Sequence, residues 1–547
     1  MKSRLYLRTP ESVKEVGYPA GALHQPFTAI LEALGHPLNT RCGGRGLCHA
    51  CEVELVAGAV HSLDAAGLVS APARIAACRH RPAAGLSISL TLPARSLLRH
   101  EPSLSSNFKL AISRTLLPLA PAPTDPDGPW LGAAVDLGTT TIALLLCDLR
   151  TGRVIDVDGA FNAQLRFGED VLTRINHCAG RPDQLLELQH AAASTIQALL
   201  EGACARHRAD QAQVQSLVVA GNTVMLHLLA GADPGPLGVY PFRAQFLDHQ
   251  CRRPEACRLA FGGPGAEVHL LPCPAPYIGA DLAAGIHATN LLYEAGPSLL
   301  VDVGTNGEII LQKGGRLLGC ATAAGPAFEG AGLTSGMRAV DGVIESIRIS
   351  RDPWVLQLGI IGNANNPLGI CGSAYVDFIA EGRRTGLLNE HGRLQAPLSA
   401  RADPHLTVLN DGSRAVVLGS SPDAGKIMIT EADIARLLQA KAAIAAGITT
   451  LLSLAELAPA EVVTVHLAGG FGMHLNLSNA IACGLLPGFR PEQIDVVGNT
   501  SLGGAYALLL DRTLLPEIAQ ACTALECVEL NLQTGFEDCY IDQLALP

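Results

Sequence analysis

Charge is scarce in this 547-residue chain. Asp, Glu, Lys and Arg make up 16% of it, and the formal balance is negative, at −11. A surface short of cations cannot neutralise a phosphate backbone, so nucleic acid is excluded as an expected partner. Long apolar runs are also missing. No stretch of about eighteen uncharged apolar residues occurs, so no membrane span is expected. The first fifteen residues carry Lys2, Arg4, Arg8, Glu11, Lys14 and Glu15 without an apolar segment, so no secretory signal peptide is read there. Cysteine is plentiful by comparison, but most of the sixteen are scattered singly. In a chain of this size without a signal peptide they read as reduced thiols or metal ligands rather than disulfides, and the cytoplasm is the expected compartment. Apolar residues form 48% of the chain, and its length predicts several compact domains.

The most informative stretch runs from Ala133 to Asp148. An apolar run reaches Asp136, Gly138 follows two residues later, then Thr139, Thr140 and Thr141, and the apolar run resumes. This pattern predicts two strands joined by a tight turn. Gly138 lets backbone approach a ligand closely, and the threonines add hydroxyl and N–H groups that suit an anion. Asp136, at the end of the first strand, is placed to hold Mg²⁺ directly or through water. The pattern returns at Leu299 to Leu311, where Asp302, Gly304 and Thr305 follow Asp136, Gly138 and Thr139 at a constant offset of 166 residues. Asn306 and Gly307 extend the second turn, and Glu308 is a further candidate for orienting a water. Two half-sites this far apart suggest two similar lobes closing on one phosphate chain. Downstream, the apolar run from Val462 ends in Gly469, Gly470 and Gly472, which allows backbone to lie against a flat ligand such as adenine.

The first 95 residues read as a separate unit. Alternating strand patterns flank a short helical pattern at Phe27 to Leu34 and a cysteine-rich loop. Cys42, Cys48 and Cys51 are spaced C-x5-C-x2-C, with Cys78 another 27 residues on. Four thiolates can hold a [2Fe–2S] cluster, and Gly43, Gly44 and Gly46 clear room for the loop to wrap it. The spacing resembles that of β-grasp ferredoxins. A structural zinc site is the alternative, although such sites usually pair two C-x2-C knuckles and only one is present. Cys522, Cys527 and Cys539 are too irregularly spaced for a second cluster and read as ordinary cysteines.

The domain reading is therefore a ferredoxin-like unit over 1–95, a proline-rich linker over 96–130, and two lobes over 131–297 and 298–547. Gly221-Asn-Thr223 and Gly369-Ile-Cys371 each precede a predicted helix. Thr430 starts a long helix with Asp433 in the capping-box position, and Lys441 on its apolar stripe is expected to snorkel to water.

In this order the two phosphate turns and the glycine-rich strand end resemble the acetate and sugar kinase, Hsp70 and actin superfamily. The whole chain resembles the reductive activators of corrinoid proteins, through Ala220–Gly231, Leu237–Phe242, Ala324–Ala331, Gly336–Ala339, Gly369–Ser373, Ala440–Gly447 and Gly498–Leu502. The resemblance implies a multidomain α+β and α/β fold: a β-grasp ferredoxin domain, then a two-lobed actin-like (RNase H-like) ATPase core. It implies a [2Fe–2S] cluster, ATP and Mg²⁺ as cofactors, an upstream electron donor, and a separate corrinoid protein of a methyltransferase system as partner. Homodimerisation is left open. The implied activity is ATP-driven transfer of one electron that converts cob(II)alamin to cob(I)alamin. Activation of a radical dehydratase, a small-molecule kinase and a nucleotide-gated binding module are the alternatives. An Asp-x-His-x-x-Gly cobalamin pattern is missing: Asp403-Pro-His405 begins one, but Val408 replaces the glycine. The partner is therefore expected to supply the corrin.

Overall fold

The computed structural model describes residues 4–8, 13–19, 21–34, 36, 38, 51–64, 67–92, 116–122, 128–304, 306–350, 355–363, 366–395, 405–421, 425–472 and 475–547. Cys42, Cys48 and Thr305 lie outside the described residues.

The N-terminal unit has its own apolar core. Leu5 and Leu7 alternate inward along the strand Leu5–Arg8 and meet Ile88 and Leu90 of a parallel neighbour. With Val13–Val16, Glu52–Ala57 and Ala73–Ala76 these strands form a mixed five-stranded sheet. Helix Phe27–Ala33 lays Phe27, Ile30 and Leu31 into the same core. The result is the expected β-grasp arrangement. An exposed ion pair, Arg166 Nη1 to Glu32 Oε1 at 3.0 Å, touches the next unit. At such exposure it contributes little to stability.

Each lobe is built on a six-stranded sheet. The first has the strand order Val154–Phe161, Thr141–Asp148, Leu131–Leu137, Val214–Gly221, Glu267–Leu270, Gln250–Arg252. The second runs Ile494–Gly498, Thr464–Ala468, Ser298–Val303, Gly307–Lys313, Arg316–Thr322, Leu525–Cys527. In both, a three-stranded antiparallel meander is extended by parallel strands. Ala133, Ala134 and Val135 are fully buried, as are Leu299, Leu300 and Val301. Continuous apolar runs of this kind are what strands covered on both faces require. Asp136 and Asp302 are each the penultimate residue of the corresponding strand, so the repeated motif is repeated in space.

The chain does not divide cleanly in two. Helix Thr500–Leu510 returns to the first lobe, where Leu502, Ala505 and Leu509 join its core. It crosses helix Ala280–Ala288 so closely that a Cβ on Gly504 would lie 2.2 Å from the Ala284 carbonyl oxygen. The end of the proline-rich stretch docks beside it: Leu117 and Leu119 donate to the Leu510 and Leu509 carbonyls at 2.9 and 3.1 Å.

In the second lobe, helix Glu431–Leu454 is capped as expected. Thr430 accepts from the Asp433 amide and Asp433 accepts from the Thr430 amide, each at 3.0 Å. Lys441 departs from its expectation. It does not snorkel: it is buried at 3% exposure, and its ammonium donates to the Ala545 carbonyl at 2.8 Å. The tail of the chain lies over the position where solvent access was expected. The helix is long and apolar enough to cross a membrane, yet most of it is buried inside the lobe.

Candidate functional site

The two repeated turns face each other across a cleft of about 260 Å³. Gly138 and Thr139 to Thr141 line one side, Gly304 and Asn306 the other, and Gly469 and Gly470 close one end. Gly138 is required by the turn itself, since a Cβ there would sit 2.5 Å from the Thr141 carbonyl oxygen. Gly469 adopts φ +94°, and a Cβ on it would meet the Val303 carbonyl at 2.6 Å and Asp302 Oδ1 at 2.9 Å. Gly307 does not face the cleft. Its α-carbon packs against Thr322 and Ile444, because it already belongs to the following strand.

Five carboxyl groups line this space: Asp136, Asp281, Asp302, Glu308 and Glu329. Asp302 and Glu308 are cross-strand partners in one hairpin. Asp136 accepts from Asn499 Nδ2 at 2.9 Å and from Ser501 Oγ at 2.8 Å. Burial raises its pKa despite these bonds, which act in the opposite direction. Burial, reinforced by the charge of Asp136, pushes Asp281 up to about 7. Burial and then the charges of Asp281, Asp136 and Glu329 push Asp302 up to about 8. Glu308 lies well above the usual carboxylate range, by burial and then by Asp281 and Asp302. Asp281, Asp302 and Glu308 are thus each raised by a neighbouring carboxylate as well as by burial. The nearby Arg338 is paired with Glu329 at 2.6 Å, and its guanidinium carbon lies 4.7 Å from the centre of the Phe161 ring on the opposite lobe.

The same cleft receives the starts of four helices: Thr223–Ala230 after Asn222, Ala280–Ala288 with Asp281, Gly372–Thr385 after Cys371, and Thr500–Leu510 after Asn499. Free N–H groups and positive dipole ends favour an anion there. Asn222 ties one of these starts to a turn, donating from Nδ2 to Thr139 Oγ1 at 2.9 Å while its Oδ1 caps Met225. Buried carboxyls together with helix N-termini suit an anion that brings its own divalent cation. Among the described residues, the only Asp, Glu, His or Cys trio with ligand atoms within 4.8 Å of one another lies elsewhere. An ion held among the cleft acids would keep several of its waters, as Mg²⁺ does.

Of the cluster cysteines, Cys51 and Cys78 are described. Both are buried in the apolar core of the N-terminal unit, at 1% and 5% exposure. A hydrogen bond with Cys78 holds the Cys51 thiol down to about 6, against the opposing effect of burial. A thiol that ionises readily in a buried apolar setting is suited to a metal cluster. Every described cysteine is a free thiol.

Comparison with known protein families separates the chain into three matches. Residues 25–83 match a 2Fe-2S iron-sulfur cluster binding domain, 131–294 match the RACo middle region, and 296–547 match the C-terminal domain of RACo, the ASKHA domain. The two RACo matches together cover well over half of the sequence. The chain joins a 2Fe-2S domain to the RACo middle region and the RACo C-terminal ASKHA domain. The middle-region match falls on the first lobe itself, not on an additional domain. A corrinoid activation enzyme, RamQ, from Eubacterium limosum is 29% identical over 420 residues, covering 76% of this chain and 69% of that protein. A [Co(II) methylated amine-specific corrinoid protein] reductase from Methanosarcina barkeri is 24% identical, covering 76% of each. A solved reductive activator for corrinoid, iron-sulfur protein superposes with a TM-score of 0.72 at 29% identity, covering 100% of this chain and 98% of that one. The fold is the one expected: an N-terminal ferredoxin domain followed by an actin-like core.

Asp281, Asn499 and Ser501 were not singled out as site residues by the sequence. Asp281 lies in the first turn of helix Ala280–Ala288, and nothing local to residues 499–501 signals contact with Asp136.

Proposed function

We propose that this protein is an ATP-dependent reductive activator of a separate corrinoid protein in a methyltransferase system. One electron from an upstream donor passes through the N-terminal domain to cobalt, taking cob(II)alamin to cob(I)alamin, and ATP hydrolysis in the cleft drives the step. The observation that carries this reading is the union, in one chain, of a buried pair of thiols, Cys51 and Cys78, in a ferredoxin fold and a cleft offering both carboxyls and helix N-termini. A [2Fe–2S] cluster on Cys42, Cys48, Cys51 and Cys78 supplies one-electron chemistry, commonly near −400 mV in plant-type ferredoxins. Each 100 mV of uphill transfer costs about 2.3 kcal/mol per electron, which a nucleotide-driven change in the partner can offset.

Within the cleft, Gly138 to Thr141 and Gly304 to Asn306 bind the phosphates, and Gly469 and Gly470 bind the adenosine. Asp136 and Asp302 would hold Mg²⁺ through its waters, and the ion would supply positive charge against the phosphates. Ser501 and Asn499 fix the Asp136 carboxyl in one orientation. Glu308, opposite Asp302, orients the attacking water. The thiol-rich, net-negative chain suits a cytoplasmic setting.

The test follows optical conversion of cob(II)alamin to cob(I)alamin, trapped by methylation, with a reductant poised above the cobalt potential. Asp136→Ala should leave the cluster reducible yet give no cob(I)alamin. A chain beginning near Asp127 should bind nucleotide and deliver no electron. Equal conversion without ATP would refute the proposal, as would phosphorylation of a small metabolite with no corrinoid turnover.

A further inference from the structure

Away from the cleft, the free edge of the first lobe's sheet carries a second group of metal-ligating side chains. The edge strand Gln250–Arg252 runs antiparallel to Glu267–Leu270, with Cys251 directly opposite His269. Side chains alternate along a strand, so His249 and Cys251 share one face, and Glu267 and His269 share it from the neighbouring strand. The Cys251 thiol, the Glu267 carboxylate and the His269 imidazole offer ligand atoms that all lie within 4.8 Å of one another.

His269 points into this group from a buried position, its side chain 6% exposed. Its Nε2 makes no hydrogen bond; Glu267 Oε2 lies 3.4 Å away without a bonding approach. On the other side of the ring, Nδ1 lies 3.2 Å from His249 Nε2, and the two rings are nearly parallel at 9°. An imidazole whose Nδ1–H is engaged presents its Nε2 lone pair outward. Here that lone pair would face a carboxylate and a thiol with no cation between them.

We propose that Cys251, Glu267 and His269 form a binding site for a borderline divalent transition metal, Zn²⁺ foremost, with water in the fourth position. Thiolate, imidazole and carboxylate are the three ligand types zinc takes, and three protein ligands with one open position is a recurrent zinc arrangement. His249 acts as the positioning residue, accepting from His269 Nδ1–H and fixing the tautomer that leaves Nε2 free. Cys251 is exposed and Glu267 is half-buried, so the ion enters from solvent. Binding ties the edge strand to the strand that leads, through residues 271–279, to Asp281.

The site is tested on the full-length, cluster-containing protein with Zn²⁺ alone as probe, by competition with a chromophoric chelator and by X-ray absorption at the zinc edge. We expect one tightly bound zinc with a single sulfur neighbour at about 2.3 Å and nitrogen or oxygen neighbours otherwise. Cys251→Ser and His269→Gln should each weaken binding at least tenfold, and His249→Ala about tenfold. Cys78→Ser should leave this zinc in place. Cys251 is exposed, so Cys251→Ser keeps the cluster absorption and the melting temperature, and it decides the question alone if His269→Gln does not fold. Zinc affinity unchanged in Cys251→Ser, or a shell of four sulfurs, would overturn the proposal.

Discussion

Ser501 donates its hydroxyl to Asp136 at 2.8 Å across 365 residues of sequence. The bond spans the return of the chain into the first lobe, so the acid of the first turn is oriented by the last helix to reach the cleft. Ser501→Ala should lower corrinoid-dependent ATP turnover about tenfold or more, as expected for loss of a hydrogen bond to a charged group worth roughly 1.5–3 kcal/mol. Ser501→Thr should restore it. A steady-state assay titrated with Mg²⁺ checks this, and an unchanged Mg²⁺ requirement in the alanine variant would rule out the orienting role.

Arg338 over Phe161 joins the lobes at the side of the cleft. A cation–π contact at a partly exposed position contributes about 0.5–1 kcal/mol. Phe161→Ala should accordingly speed nucleotide release about two- to fivefold, read by stopped-flow with a fluorescent ATP analogue. Release at the wild-type rate would show that the contact does not hold the lobes together.

The two functional halves should separate cleanly at the cysteines. Cys51→Ser or Cys78→Ser should remove the visible absorption of the cluster and abolish electron transfer, while nucleotide binding stays within about twofold of wild type. Iron analysis and calorimetry together provide the check. Two irons per chain retained in either variant would exclude that residue as a ligand.

The cleft acids make the nucleotide-free core sensitive to pH. Asp281 and Asp302 have native values raised to about 7 and about 8, above the ordinary value of about 3.9 that applies when unfolded. Between these limits the native state holds more protons than the unfolded state, so stability falls as pH rises from about 4 to about 8 and then levels off. The slope is at most about 1.4 kcal/mol per pH unit for each retained proton. Melting temperatures without Mg²⁺ or nucleotide should be higher at pH 6 than at pH 8, and Asp281→Asn should flatten the trend. Mg²⁺ with nucleotide should flatten it as well, by favouring the ionised carboxylates. A melting temperature that rises over this range would contradict the assignment.

The parts of this site that are local in sequence are readable from sequence. Asp136, Gly138 and the threonines sit within one hairpin, and their echo at Asp302 needs only the same few residues again. The capping box at Thr430 is equally local. Asp281 is different, because its role depends on a helix start being carried to a cleft formed by residues far away on both sides. Ser501 and Asn499 depend on the returning helix for the same reason. Lys441 reads as a snorkelling side chain until the C-terminal tail, with the Ala545 carbonyl, is seen to cover it. Gly307 opens the following strand, and the absence of a side chain there is also set by packing, since a Cβ would meet Thr322 and Ile444. Cys251 and His269 are 18 residues apart, and only strand register brings them opposite one another.

The helix Thr500–Leu510, whose leucines complete the first lobe's core, also sets a schedule for synthesis. The strands of that sheet begin at Leu131, but their cover leaves the ribosome only after Leu510 has been added. At about 5–20 residues per second, the completed sheet waits roughly ten to fifty seconds with an apolar face unsealed. During that interval it is a client for holdase chaperones, whereas the ferredoxin unit, with its separate core, can close early. Ribosome-bound chains stalled before Asn499 should therefore show protease protection over residues 67–92 and cleavage within 131–221. Equal protection of both segments would mean that the first lobe seals without its last helix.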